Sequence, residues 1–570
     1  MLPRTRTEAR RLSSRMGIQE ITAQLLLNRS LTDRDDCDRF LRPALTHLGD
    51  PLDVHHMDQG ADRIARAIRD RERVLVYGDY DVDGVTATSL MMEFLTLAGL
   101  EPEYYIPNRL SEGYGISSTF LDVEQREVDL VISVDNGISS HEEVEVLTSR
   151  GIDVVVTDHH EPGPTLPRAT AVVNPKLSAP DCGARNLCGA AVAYKTAWAV
   201  ANRLSPGSRV TPEFREYLVE SLALVALATI CDSVPLLGEN RVLASFGLRA
   251  LRATRRPGLM ALIDLACNGS RDICEETVGF RIGPRLNAAG RMGHAGLAVQ
   301  LLSATDYDEA LDIARRLETT NRQRKETETV ILGQAKARVD ELSPGGVPPA
   351  ALVLDGDDWH AGVLGIVASR ITETYLRPAI LIGMNGDSGR GSARSVKGIH
   401  LLDLIRQCGH HLERFGGHAN AAGLEIRRTS VAAFRAELET VAGNVYEELG
   451  ENAGAVIDVD IEVELSELSL PLIDEIGMLA PFGQENPSPV FVSHGVRCAG
   501  EPRVVGATGR HLACHLRQGD TVFRCIGYGL GHQLEALRGA SGVSVLYHPF
   551  RNTFRGANSL ELRIQELRFP

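Results

Sequence analysis

Residues 74–86 read VLVYGDYDVDGVT. Four apolar residues of high β propensity come first, as in a strand buried on both faces of a parallel sheet. A glycine then precedes three aspartates at every second position, Asp79, Asp81 and Asp83, and a helical stretch, GVTATSLMMEFLTLAGL, follows at 84–100. Strand, loop and helix in that order are one unit of an α/β fold, where ligands gather at the carboxyl ends of the strands. Three like charges within five residues repel one another, so the loop calls for cations.

Outward from this stretch the unit recurs. LVISVDNG (130–137) and DVVVTDHH (153–160) are further apolar runs that end in carboxylates or histidines, with SSHEEVEVLTSRG (139–151) as the helix between them. ESLALVALATICDSVPLL (220–237) is a strongly apolar helix that delivers Asp232 at its end. From about 305 to 342 a charged stretch with apolar residues at helical spacing, stopped by Pro-Gly-Gly, predicts a long connecting helix. A second α/β unit begins at AALVLDGDDWHAGVLGIVASRI (350–371) and holds the glycine clusters GRGSARS (389–395) and FGGHANAAG (415–423). After about 455 come five short β runs separated by Gly, Pro and Asn, which predict a small β-barrel of OB type. The expected segments are 1–54 (helical), 55–240 (first α/β domain), 241–344 (helices and the connecting helix), 345–452 (second α/β domain) and 453–570 (barrel).

Bulk properties narrow the class. A chain of 570 residues has room for several domains. It has no run of 18 uninterrupted apolar residues, and its Arg-rich start lacks a signal-type apolar core, so a soluble, cytoplasmic protein is expected. Ten cysteines without a CxxC pair argue against a zinc or redox site. The net charge of −15 speaks against a nucleic-acid coat, which makes local charge decisive.

The strand-end groups are Asp79, Asp81, Asp83, Asp135, Asp158, His159, His160 and Asp232. Oxygen-rich ligation with one or two imidazoles suits Mn²⁺ or Mg²⁺ better than zinc. So many carboxylates exceed the needs of one ion, and two ions roughly 3.5–4 Å apart are common in phosphoesterases and nucleases. Arginines near glycines supply the opposite charge: Arg109, Arg281, Arg285, Arg291, and Arg394 beside Ser392 can present planar forks to phosphate oxygens. Gly416 and Gly417, before His418, allow close backbone approach. Among the aromatics, Phe415, Phe482, Tyr528, Tyr547, Phe550 and Phe554 are candidates either for base stacking or for barrel core.

The order DYDVDG, VDNG, DHH and a later Asp resembles the DHH phosphoesterase superfamily. PNRLSEGYG (107–115), VVNP (172–175), GPRLNAAGRMG (283–293), WHAGVLGIVASR (359–370), GRGSARS, FGGHANAAG and NTFRGANSLELRI (552–564) narrow the resemblance to the RecJ family of bacterial single-strand-specific 5′→3′ exonucleases, from about residue 50 to the C-terminus. Val82 stands where that family usually has alanine, and ICD (230–232) where VAD is more usual; neither change removes a ligand. The resemblance implies a parallel-sheet DHH domain, a DHHA1 domain and an OB domain, with two divalent ions held by Asp79, Asp81, Asp83, Asp135, His159 and Asp232, Asp135 bridging. It implies that Asp158 orients His159, and that His160 contacts the scissile phosphate or moves a proton. Arg109, Ser392 and Arg394 would read a terminal 5′-phosphate, and Arg291 and His418 would contact the substrate, Arg291 in the catalytic centre; the residue-level reading adds Arg281, Arg285 and Gly417 as expected contacts to the strand. The partners implied are single-stranded DNA, a single-strand-binding protein and a helicase, with the chain a monomer away from membranes. Two other readings stand beside this one: a phosphodiesterase of short oligonucleotides or cyclic dinucleotides, against which the barrel and the length weigh, and a non-catalytic scaffold, against which the full ligand set weighs.

Overall fold

The computed structural model describes residues 6–121, 127–207, 209–343, 345–449, 457–506, 509–553, 556 and 558–569. The chain folds as two compact units, one of Pro51–Asp232 and Ala250–Val456, the other of Met1–Asp50, Ser233–Arg249 and Ile457–Pro570.

In the larger unit, five strands form a wholly parallel sheet: β1 (Val74–Tyr77), β2 (Glu103–Tyr105), β3 (Leu130–Val134), β4 (Asp153–Thr157) and β5 (Ala171–Val173), in the order β2-β1-β3-β4-β5. Every residue of β1, β3 and β5 is buried, which is why these runs carry no polar alternation. The order reverses at β1, whose following strand lies on one side and β3 on the other. The chain leaves β1 and β3 in opposite directions, which opens a crevice at their carboxyl ends.

A 36-residue helix, Tyr307–Leu342, about 54 Å long at 1.5 Å per residue, leads to the second sheet. That sheet comprises β6 (Leu352–Asp357), β7 (Ala379–Asn385), β8 (Ser388–Arg394), β9 (Leu412–Gly417) and β10 (Ala421–Arg427), in the order β6-β7-β8-β10-β9. Only β6 and β7 are parallel. The long helix buries Asn321, Arg324 and Glu328 among its apolar contacts, with Arg324 donating to Glu328 at 2.7 Å.

The smaller unit is built on β11 (Ile461–Glu462), β12 (Phe491–Cys498), β13 (Arg503–Val505), β14 (His511–Gln518), β15 (Thr521–Gly527), β16 (Val543–Asn552) and β17 (Ser559–Arg568). Their order is β11-β12-β16-β17-β15-β14-β13, and a further β12–β14 pairing closes five of them into a barrel. The helices of the first 50 residues share this barrel's core: Leu25, Leu26 and Phe40 pack in one cluster with Ile461, Phe491 and Tyr547. Arg241, fully buried, ties the pieces together by donating to the carbonyls of Phe40, Met478, Leu479 and Ala480 at 2.7–2.9 Å. Of the aromatics proposed for stacking, Tyr547 is core, its hydroxyl 2.9 Å from Ser493 Oγ, and Phe482 packs against the same cluster. Phe550 is partly buried, Tyr528 is 62% exposed, and Phe554 lies outside the described residues. No helix among the described residues is long and apolar enough to cross a membrane.

Candidate metal centre

The crevice is where the acidic residues meet. Past β1, Asp79 is buried, and Asp81 caps the helix Val82–Leu97 by accepting from the amides of Asp83 and Gly84 at 2.9 and 3.1 Å. Asp83, in the first turn, turns inward and accepts from the amides of Gly189 and Ala190, both at 2.6 Å, at the start of the helix Gly189–Leu204. Past β3, Asp135 adopts the left-handed conformation, φ +62°, and its carboxylate lies so near that helix that a Cβ on Gly189 would sit 2.5 Å from its Oδ1. Only glycine fits at 189. Past β4 come Asp158 and His159, both buried, and the helix Pro212–Cys231 ends on Asp232.

Two constellations result, with a third, Asp135, His159 and His160, overlapping them. Possible ligand atoms of Asp79, Asp81 and Asp135 lie within 4.8 Å of one another, as do those of Asp83, His159 and Asp232. His159 Nε2 joins the two, 3.2 Å from Asp135 Oδ1, 3.6 Å from Asp83 Oδ2 and 3.7 Å from Asp232 Oδ2. Among the described residues, Asp79 Oδ1, Asp135 Oδ1, His159 Nε2 and Asp232 Oδ2 are buried with no hydrogen-bond partner. Uncompensated buried charge of one sign is strongly destabilising. Four such atoms converging, three of them carboxylate oxygens, fit a divalent cation such as Mn²⁺ or Mg²⁺.

The titration behaviour follows from the same crowding. Burial, and then the charge of neighbouring carboxylates, lifts Asp79, Asp135 and Asp232 well above the ordinary carboxylate range. Burial and Asp81 push Asp83 up to about 6, against the two amides that hold it. His159 falls to about 3 through burial and the charge of His160, so its imidazole is the neutral form that a metal requires.

Asp158 corrects one expectation. Its Oδ1 accepts from the His160 ring at 2.8 Å and from the backbone amides of His159 and His160 at 2.7 and 3.1 Å, while Oδ2 takes the Ile138 amide at 3.0 Å. The imidazole it orients is therefore His160's, and it reaches His159 only at the backbone. Burial alone would lower His160, but the hydrogen bond to Asp158, and the charges of Asp158, Asp232 and Asp79, raise it to about 9.

The arginines divide. Arg109 lies over the Tyr80 ring at 4.8 Å, and Arg394 donates to Ser392 Oγ at 3.4 Å and to the Ala393 carbonyl at 2.8 Å. Arg291 donates to the Gly362 carbonyl at 3.2 Å. Burial, then Arg109, lowers both Arg291, to about 10, and Arg394, which describes a cluster of cations short of an anion. Arg109, Ser392, Tyr80, Tyr114, Phe415 and Gly416 line a cavity of about 680 Å³. His418 is lowered by burial and by the charges of Arg394 and His160. Gly416 faces open space, whereas a Cβ on Gly417, φ +147°, would meet the Ala421 carbonyl of its own hairpin at 2.4 Å. The hairpin alone accounts for Gly417.

Arg281 and Arg285 are not part of this cluster. On the helix Gly283–Met292, Asn287 accepts from the Val82 amide at 3.1 Å and Gly290 packs on the Tyr80 carbonyl. Arg285 lies on the opposite face, paired with Glu318 and the Arg281 carbonyl, and Arg281 is exposed. Sequence reasoning missed Asn287, the Gly189 and Ala190 amides, and Tyr114, whose hydroxyl lies 2.8 Å from His160 Nδ1.

The DHH family's N-terminal domain matches residues 73–229, the DHHA1 domain residues 348–444 and the RecJ OB domain residues 459–566. The chain is 35% identical over 559 residues to the single-stranded-DNA-specific exonuclease RecJ of Bacillus subtilis (strain 168), across 97% of this chain and 69% of that protein. It is similar to the crystal structure of RecJ from Thermus thermophilus in complex with Mn²⁺, with TM-score 0.81 and 30% identity over 99% of this chain and 78% of that one. The Mg²⁺ complex from the same organism gives TM-score 0.77 and 28% identity over 99% and 77%. Fold and site define a phosphoesterase of the DHH superfamily, with its DHHA1 and OB companions. Within it, the chain belongs to the RecJ family.

Proposed function

We propose that this chain is a single-stranded-DNA-specific 5′→3′ exonuclease that releases 5′-mononucleotides with two divalent ions, Mn²⁺ or Mg²⁺, in DNA repair and recombination. The observation that carries the reading is the set of buried, partnerless ligand atoms beside a cavity lined by guanidinium groups. When bound, the cations stabilise charge on the phosphate and make an attacking water more acidic. Asp79, Asp81 and Asp135 would hold one ion and Asp83, His159 and Asp232 the other. Asp158 takes the Nδ1–H of His160 and leaves Nε2 to face the scissile phosphate, where the imidazolium donates to a non-bridging oxygen. Arg291 balances the charge that builds there. Arg109, Ser392, Arg394 and the Gly416 backbone hold the terminal 5′-phosphate, and His418 contacts the strand beside it. Water attacks the phosphorus in line with the 3′-oxygen of the first nucleotide, which leaves.

A single-strand substrate must be unwound and kept open, so a helicase and a single-strand-binding protein are the partners this reading carries, for a monomer in the cytoplasm. The test uses one 40-mer labelled at its 5′ end, at its 3′ end, or annealed as a blunt duplex, in Mn²⁺. The 5′ label should emerge first as mononucleotide, the 3′ label only in progressively shorter strands, and the duplex should resist. Mononucleotide released first from the 3′ end would overturn the direction. A trinucleotide cleaved as fast as the 40-mer would favour a small-oligonucleotide phosphodiesterase instead.

A further inference from the structure

Residues 107–115, PNRLSEGYG, form a loop knotted on itself. The Asn108 side-chain oxygen accepts from the amides of Leu110 and Ser111 at 2.9 and 3.2 Å. Glu112 is the centre of the knot: Oε1 accepts the Asn108 amide at 2.7 Å, and Oε2 accepts the hydroxyls of Tyr105 and Ser117 at 2.8 and 2.6 Å. Burial works against this carboxylate's charge, yet these hydrogen bonds hold it below its ordinary range. From across the cavity, Arg390 donates to the Leu110 carbonyl at 2.6 Å. Arg109 stands at one end of the knot and Tyr114 at the other, with Gly113 and Gly115 at φ +87° and +90° turning the chain on either side of the tyrosine.

Tyr114 meets the catalytic residues at two points. Its hydroxyl is 2.8 Å from His160 Nδ1 and 3.4 Å from the Asp135 carbonyl, and its ring stands edge-on to the His160 ring with centroids 5.1 Å apart. A carboxylate only accepts, so the contact with Asp158 places the proton on Nδ1. The Tyr114 oxygen then accepts a share of that N–H while its own proton points to the Asp135 carbonyl.

We propose that Tyr114 is a positioning residue that fixes the His160 imidazole, and that the Glu112 knot makes it one rigid piece with Arg109, so the group reading the strand's end and the group at the scissile phosphate keep a set separation. The proposal rests on the roles given above to His160 and Arg109, and it gives a structural reason for one fixed product length.

The test is steady-state kinetics on matched 5′-phosphorylated and 5′-hydroxyl single strands for Tyr114→Phe, His160→Ala, the double variant and Glu112→Gln, with the Mn²⁺-induced rise in Tm measured for each. Tyr114→Phe keeps the ring and removes the oxygen; kcat should fall about tenfold, with KM within about twofold and the Mn²⁺ shift unchanged. The double variant should be no slower than His160→Ala, because the tyrosine acts through the imidazole. Glu112→Gln, with its Mn²⁺ shift intact, should lose kcat and the preference for a 5′-phosphate together, whereas Tyr114→Phe should lose kcat alone. A slowed His160→Ala beside an unslowed Tyr114→Phe overturns the proposal, as do losses that multiply in the double variant or a loss confined to KM. Glu112→Gln with both properties intact overturns the tie to Arg109. His160→Ala at the wild-type rate overturns the role given to His160 itself, and the proposal with it.

Discussion

Asp135→Asn keeps the shape of the side chain at the meeting of the two constellations and removes one charge. Ligand atoms of Asp79, Asp81 and Asp135 lie within 4.8 Å of one another. At that separation and an effective dielectric of about 20, two like unit charges cost about 3.5 kcal/mol. The metal-free protein relieves part of this by binding protons, at about 1.4 kcal/mol per unit of pKa rise. Removing the Asp135 charge should therefore stabilise the metal-free protein by about 2–3 kcal/mol near pH 8, seen as a Tm several degrees above wild type in EDTA. With Mn²⁺ at about a hundred times its Kd the wild type should gain about 2.7 kcal/mol, and the variant almost none. The stability gap between the two proteins thus closes almost completely between EDTA and Mn²⁺, while hydrolysis by the variant falls below about a hundredth of wild type. Scanning calorimetry with and without metal, beside a nuclease assay, reads all three. A variant less stable than wild type in EDTA, or one that keeps the full Mn²⁺ shift, would refute the reasoning.

Asp83, lifted to about 6 from an ordinary value near 4, gives stability that is complete below about pH 4 and lost as pH rises through about 6. In EDTA the Tm of wild type relative to Asp83→Asn should fall across that window, and the Mn²⁺ shift of wild type should grow; a flat difference would contradict the assignment. Arg394→Ala should flatten the preference for a 5′-phosphate over a 5′-hydroxyl, a contact of roughly 1.5–3 kcal/mol or about ten- to hundredfold, and Arg394→Lys should restore part of it, as matched-strand kinetics will show. Arg285→Ala, which removes the contacts with Glu318 and the Arg281 carbonyl, should leave kcat and end preference within about twofold of wild type.

The strand-end carboxylates were legible because β1, β3 and β4 are short apolar runs that stop abruptly at acidic residues, a pattern that buried parallel strands impose. What Asp158 holds was not legible, since the choice between two adjacent imidazoles depends on rotamers rather than on residue order. Arg285 and Arg291 look alike in GPRLNAAGRM, yet the helical period over Gly283–Met292 sets them on different faces, a signal that was present and unused. The Gly189 and Ala190 amides that hold Asp83 have no residue-type signature, because any helix start offers amides. The shared core of the first helices and the barrel, flanked by the hydrogen bond from the Gln19 amide to Glu475 across 456 positions, has nothing local to announce it. Cutting the chain near 455 would strip most of that core, so point substitutions, rather than truncation, suit tests of the barrel.

The central claim is that Asp79, Asp81, Asp83, Asp135, His159 and Asp232 hold two divalent ions at the switch point of the parallel sheet. Anomalous scattering from crystals grown with Mn²⁺ tests it directly. The account predicts two peaks roughly 3.5–4 Å apart, one among Asp79, Asp81 and Asp135 and the other among Asp83, His159 and Asp232, with Asp135 reaching both. A single peak, or a pair held elsewhere, such as at His410, His411 and Glu437, would contradict it.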